Sequence, residues 1–430
     1  ACRTPASPFT TDHPFDPVRE ISLKKPNAYT LYLIMGAAHA LFSSMIFTVL
    51  SVYYVQTVGM NPLQLVLVGT TIELTVLLFE IPTGVVADLY SRRLAVIIGF
   101  VLIGLCYVIE GWVPLFVAIL FAEFIRGVGE TFISGAASAW AADELGEERV
   151  GRAYVRHAQV GLAGGFAGIL IGTALGAWRL NLPIWLGGAL IIGLSLFLIL
   201  VMPERGFTPA PRQERESWRN MLETTRDGLH IVRLQPIVLM FVLAGVVFGA
   251  FSEGFDRLWE AHFLNDIGFP AWPNLPPVVW IGALHAGAML LGVLVSEGLL
   301  RRLDLHDPRA LGRTLLATTA LLIAAVVIFG QAHAFAVATA AYWFASGLRT
   351  LQYPIATTWL NRNIPSRVRA TVLSMVSQAD ALGQIGGGPA VGAIGLRSLR
   401  AAITISGLLL TPALILYSRR LRLDSTNNSR

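Results

Sequence analysis

The feature that most constrains this chain is a series of apolar stretches, each about 20 residues long, separated by short polar segments. A run of that length spans the hydrocarbon core of a bilayer as a helix, and a backbone in lipid must satisfy its own hydrogen bonds. Twelve such runs are readable, near residues 28–57, 62–87, 94–112, 114–141, 158–178, 183–202, 236–259, 276–299, 313–330, 333–358, 371–393 and 400–418. The tightest turn among them is "FGQAHAF", between the ninth and tenth runs. Composition agrees: 54% of the residues are hydrophobic and 14% charged, against about 25% charged in a soluble domain.

Charge orients the spans. The second, fourth, eighth and tenth connections hold Arg92 and Arg93; Arg149, Arg152 and Arg156; Arg301, Arg302, Arg309 and Arg313; and Arg362, Arg367 and Arg369. The first, third and ninth hold no Arg or Lys. The arginine-rich side is therefore expected to be cytoplasmic, with both termini on it. The net charge of +5 is spent on orientation and is not a nucleic-acid signal. The expected organisation is a mobile tail at 1–26, six helices in 27–203, a cytoplasmic linker at 204–235, six helices in 236–418, and a tail at 419–430. The first twenty residues lack the apolar core of a signal peptide. Cys2 and Cys106 fit neither a disulfide nor a metal-binding spacing.

The two halves repeat each other. Asp88, four residues before Arg92-Arg93, has a counterpart in Glu297, four before Arg301-Arg302. "WAADELGEERVGRA" after span four is echoed by "WLNRNIPSRVRA" after span ten. Two echoes in the same order on the same side argue for duplicated halves. The fold class follows: an all-α polytopic membrane protein of twelve transmembrane helices in two pseudo-symmetric six-helix bundles.

The segment Gly84-x-x-x-Asp88-x-x-Ser91-Arg92-Arg93 resembles the signature loop between spans two and three of the major facilitator superfamily. Leu89 stands where that family usually has a basic residue, and Ser91 where it has a glycine. The resemblance covers residues 27 to 418 and implies a secondary transporter that works by alternating access. It also implies that Asp88 latches the two halves on the cytoplasmic side, with Gly84, Arg92, Arg93, Glu297, Arg301 and Arg302 completing the gate. Among family branches the chain most resembles bacterial twelve-span drug:proton antiporters of the inner membrane. That branch implies export of moderately apolar organic compounds, a small-molecule substrate with protons and lipids as its partners, and a monomer. An importer or a lipid or metabolite exporter on the same scaffold remains open, as does a non-transporting sensor.

Charges at membrane depth are the candidate site residues, because each costs about 2.5–3.5 kcal/mol to insert at mid-bilayer. In span four, Glu123, Arg126 and Glu130 share one helical face. In span two, Glu73 has no basic neighbour in its own span. An isolated carboxylate there favours its neutral form, as a proton carrier requires, or else bonds a neighbouring helix. Glu73, Glu123, Glu130 and Asp380 are the proton-coupling candidates. His39, Arg126, His285, Arg349 and Gln384 are candidates for the substrate cavity. In "SEGFDRLWEAH", Glu253 and Arg257 are spaced to pair, leaving Asp256 over, and the three form a candidate outer gate. Gly164, Gly168, Gly172 and Gly176 form a stripe suited to close helix contact. No catalytic motif, phosphate-binding loop or Cys/His cluster is present, so no cofactor is expected and the chain does not read as an enzyme.

Overall fold

A computed structural model describes residues 27–208, 235–301, 303–304, 307–364 and 368–427. The expected tail at 1–26, most of the linker, and Arg302 and Arg367 lie outside the described residues. Among those described, every regular element is helical. Span one is Ala28–Tyr53, continued by a π-helical turn at Tyr54–Val58. Spans two and three are Pro62–Leu89 and Arg92–Trp112. Span four is broken into Phe116–Ile133 and Ala136–Leu145, and spans five and six are Glu147–Trp178 and Leu182–Val201. Span seven is Pro236–His262 with a π-helical turn at Phe263–Ile267, and spans eight to eleven are Pro277–Leu300, Pro308–Gln331, Phe335–Asn363 and Arg369–Gly395. Span twelve is split into Leu399–Leu408 and Thr411–Asn427, so its helix runs past the boundary expected at residue 418.

Local chemistry accounts for the ends. Asn61 and Gln64 form a reciprocal capping box, with Pro62 at the first helical position of span two. The Ser91 hydroxyl accepts from the Leu94 amide and starts span three. Span four breaks where Gly135 takes φ 74, and the chain turns into span five at Gly146, also φ 74. Both are backbone conformations that a side chain would strain. Among the described residues nine helices are long and apolar enough to cross a membrane. The exceptions are spans four, ten and eleven, which carry Glu123, Arg126, Glu130, Arg349 and Asp380.

The packing is two-fold. Span one packs on five and three on six, and span seven packs on eleven and nine on twelve in the same way. The halves meet through spans two with eleven and five with eight. Gly59 and Gly268, which end the π turns of spans one and seven, are separated by as many residues as Asp88 and Glu297. The glycine stripe of span five lies on span one: Gly164 sits over the Ala37 carbonyl, Gly168 over Leu41, Gly172 over Met45 and Gly176 over the Val49 side chain. A Cβ at Gly168 would collide with backbone, which cannot step aside as a side chain can.

The two ends differ. At the arginine-poor end one continuous core runs through both halves, joining Val66 and Val68 to Phe255, Leu258 and Val391. There Gly388 lies 3.0 Å from Val66, and Gly392 3.1 Å from Leu63, measured from the Cβ each lacks. At the arginine-rich end the second half keeps a separate core around Phe241, Trp359 and Tyr417. A Cβ at Gly84 or Gly298 would meet no atom within 4 Å. The halves therefore touch at the arginine-poor end and part toward the arginine-rich end.

Two outcomes follow. Gly168→Leu is expected to lower stability by about 1–3 kcal/mol, read as an earlier thermal unfolding transition of the purified protein; an unshifted transition would contradict the packing of spans one and five. In a background without Cys2 and Cys106, a cysteine at Gly84 should react readily with a water-soluble maleimide. A cysteine at Gly392 should react slowly. Equal rates would mean that the halves are not closed where they are described as closed.

Candidate functional site

In the first half, span four projects its charges inward. The Arg126 guanidinium donates through Nε to Glu123 Oε2 at 2.8 Å, and its Nη2 lies 2.6 Å from the same oxygen. Glu130, one turn on, stands 3.9 Å from Arg126 Nη1 and is more open to the cavity. Phe47 and Tyr107 flank the guanidinium at 5.7 and 5.9 Å, adding cation–π contact on two sides. Glu123 and Arg126 are both buried, so each is the other's chief compensation for lost hydration.

A fourth group completes this cluster, and sequence reasoning passed over it. Glu110 of span three is fully buried and accepts a hydrogen bond at 2.9 Å from the Tyr54 hydroxyl. Tyr53 donates to its backbone carbonyl. Glu110 stands near the end of an apolar run, where an acid reads as lying at headgroup level. The available signal was Cys106, one turn earlier on the same face.

In the second half the charges gather on span seven. Glu253, Asp256, Arg257 and Glu260 occupy positions i, i+3, i+4 and i+7, one face of the helix. Arg257 Nε donates to Glu253 Oε1 at 3.2 Å, the expected pair. Asp256 is not left over: Arg349 of span ten grips both its carboxylate oxygens, with Nη2 donating to Oδ2 at 2.7 Å. His285 of span eight lies 2.7 Å from buried Glu260, a partner that the heptad spacing from Glu253 would have revealed. Gln384 donates to Asp380 at 2.8 Å, one turn away on span eleven. Aromatic rings pack around these pairs: Trp259 stacks on Tyr342 at 4.1 Å, and Phe251 and Phe255 lie under Arg349.

Glu73 stands between the two clusters. It is half-buried and makes neither a hydrogen bond nor a direct ion pair among the described residues. Its nearest charges are Arg257 and Asp380 of the second half and Arg126 of the first. One turn earlier, Gly69 lets span two press directly on Glu253 and Arg257. The lack of a basic neighbour in its own span is thus made up from the other half.

Two cavities lie in the helical bundle, one of them lined by Asp380. One of about 730 Å³ lies mainly in the first half, lined by Tyr32, His39, Phe100, Ser138 and His157, and is reached by Met289 of the second. His39 meets Phe100 edge-on at 5.2 Å. The other, about 290 Å³, is lined by Phe248, Gln352, Tyr353, Asp380 and Tyr417. His39 and Asp380 therefore line separate recesses, whereas Arg349 and His285 belong to the ion-pair network.

The motif at the arginine-rich end is bound up within its own half. Arg92 pairs with Asp143 at 2.5 Å and reaches Asp88 only at 3.5 Å. Arg93 donates to the Ile199 carbonyl, while Glu204 accepts from the Ser91 hydroxyl at 2.7 Å and the Arg93 amide at 2.9 Å. Asp88 has 61% of its side chain exposed and, among the described residues, meets no helix terminus of the other half. In the second copy, Glu297 and Arg301 pair at 2.8 Å, both exposed. Asp143 and Glu204 went unnoticed in the sequence because their partners are distant in the chain.

The arrangement can hold and exchange charge in a low-dielectric interior, and it contains no nucleophile–base pair suited to covalent chemistry among the described residues. The chain is 24% identical over 395 residues to the uncharacterized MFS-type transporter YxaM of Bacillus subtilis (strain 168), covering 91% of this chain and 94% of that protein. Its fold is similar to a single-residue variant of the nucleoside transporter NupG, with a TM-score of 0.76 at 14% identity, over 91% of this chain and 99% of that one. It is also similar to a peptide transporter POT, with a TM-score of 0.72 at 12% identity, over 92% and 95%. Residues 32–388 match the family model of the Major Facilitator Superfamily, and the chain, a multi-pass membrane transporter and not an enzyme, belongs to that superfamily.

Proposed function

We propose that this transporter couples the movement of a moderately apolar organic compound to protons by alternating access, carrying its substrate outward from the cavity between the halves. The observation that carries the reading is Glu73, a half-buried acid with no bonded partner among the described residues, acted on by Arg126 of one half and by Arg257 and Asp380 of the other. Ionised, it draws span two toward Arg257 and reinforces the closed arginine-poor end. Protonated, it loses that attraction. A group whose charge state changes the contact between the halves links proton binding to conformation. Aromatic walls at Phe100, Phe248 and Tyr353 suit an apolar substrate. With the arginine-rich end taken as cytoplasmic, as in a bacterial inner membrane, the described arrangement is open inward. The latch role of Asp88 belongs to the opposite arrangement, because here the halves are parted around it.

A second reading is import of a polar solute. The ion pairs Asp256–Arg349 and Glu260–His285 beside the Trp259–Tyr342 stack offer hydrogen bonds and a planar face. NupG and POT, whose folds are similar, are a nucleoside and a peptide transporter.

Proteoliposomes under an imposed pH gradient separate the two. Movement of apolar cations or neutral drugs against the direction of proton flow supports export. Accumulation of nucleosides or peptides along with protons supports import. Glu73→Gln is expected to abolish uphill transport while leaving downhill exchange partly intact. Arg126→Ala should do broader damage, because it strands Glu123 without a cation. Uphill accumulation by Glu73→Gln with unchanged proton flux would remove Glu73 from the coupling role.

A further inference from the structure

The cluster behind Arg126 holds more acid than its one cation can neutralise. Glu110 and Glu123 both have 0% exposure. Each uses one carboxylate oxygen: Glu110 Oε2 takes the Tyr54 hydroxyl, and Glu123 Oε2 takes Arg126. The other oxygen of each, Oε1, is buried without a hydrogen-bond partner. The two carboxylates and the Cys106 thiol come within 4.8 Å of one another. Two buried carboxylates this close cannot both stay ionised beside a single guanidinium, and one oxygen of each makes no hydrogen bond among the described residues.

We propose that Glu110 and Glu123 share one proton, making a buried proton-storage site between spans three and four, beside Arg126. A proton on Glu110 supplies the missing donor toward Glu123. It also brings the trio of Glu110, Glu123 and Arg126 to neutrality. A metal ion serves less well, because the helical carbonyls around the pair are already engaged and the two carboxylates leave too few free oxygens for a hard cation.

The groups facing the pair are Tyr53 and Tyr54 from span one, Cys106 and Tyr107 from span three, Arg126 and Glu130 from span four, and, at longer range, Arg257 from span seven. None of these except the two arginines brings a positive charge. Glu130 competes with Glu123 for Arg126 and is 37% exposed, so the guanidinium can turn toward it and unseal the pair. This site deepens the proton-coupled reading proposed above and gives that reading a second group besides Glu73.

Infrared spectroscopy of the purified full chain tests it without any transport assay. Near neutral pH and in potassium buffer, the wild-type minus Glu110→Gln difference spectrum should show the carbonyl band of one protonated carboxyl, shifted in heavy water. Glu123→Gln should move that band, because the acceptor changes from carboxylate to amide. Cys106→Ala, with both acids in place, should keep it. If the band is present while the protein moves no protons across a membrane, the site stands and the coupling proposal fails. If the wild type lacks the band, if Glu110→Gln leaves it unchanged in monodisperse protein, or if sodium or zinc ions abolish it, the shared proton is overturned.

Discussion

A charge placed in the hydrocarbon core must find an opposite charge or a hydrogen bond, and this requirement organises the interior more than any other. Interior acids meet it in two ways: Glu123 takes Arg126 and Glu253 takes Arg257 within one helix, whereas Asp256 takes Arg349 of span ten and Glu260 takes His285 of span eight across helices. The two cross-helix pairs stitch the second half through its middle, where apolar contact alone gives little preference for one helix neighbour over another. Removing one partner of the pair that is buried on both sides, Glu123 and Arg126, leaves a naked charge, typically at a loss of about 3–5 kcal/mol. The interior is accordingly intolerant of single charge changes, even where no substrate is touched.

The second organising force is close backbone approach. Spans one and five, and likewise seven and eleven, are joined by glycines set against carbonyl oxygens. Gly249 lies on the Asp380 carbonyl and Gly383 on that of Val246, matching the role of Gly168 on Leu41 in the first half. Each half is thereby a rigid unit with few side chains to rearrange. Conformational freedom is left to the surface between the halves.

The scaffold was legible in the sequence because its causes are local. Span length and the four-residue glycine period act within one helix, and both correspond to described elements. The duplicated signal at Asp88 and Glu297 likewise reads directly along the chain. The charge network was legible only in part. Glu253 and Arg257 lie four residues apart and could be paired on paper, whereas Asp256 with Arg349 and Glu110 with Tyr54 are joined only by tertiary packing. The break of span four was hidden for a different reason: "ISGAAS" is as apolar as its surroundings, and only the positive φ of Gly135 reveals the turn. Asp143 and Glu204 read as solvated helix-end charges, yet they hold the signature loop in place.

The two-fold scaffold carries a one-sided chemistry. Spans two and eleven touch at Val66 and Gly388, and spans five and eight at Gly176 and Val278, but the same helix pairs diverge toward Gly84 and Gly298. Rocking one rigid half over the other would exchange the first set of contacts for the second, and small residues stand at both ends to allow close approach. Where two such arrangements are near balance, small electrostatic terms decide which end is shut. Glu73 sits at the closed end within range of Arg257, whereas the pair Glu110 and Glu123 sits behind Arg126 in the first half. In the proposed reading, a proton on Glu73 would act on the contact between halves directly, whereas a proton between Glu110 and Glu123 would act only by setting how firmly Arg126 is held. The two proposed sites would thus differ in kind: one would weight the equilibrium between arrangements, and the other would set whether Arg126 is free or neutralised.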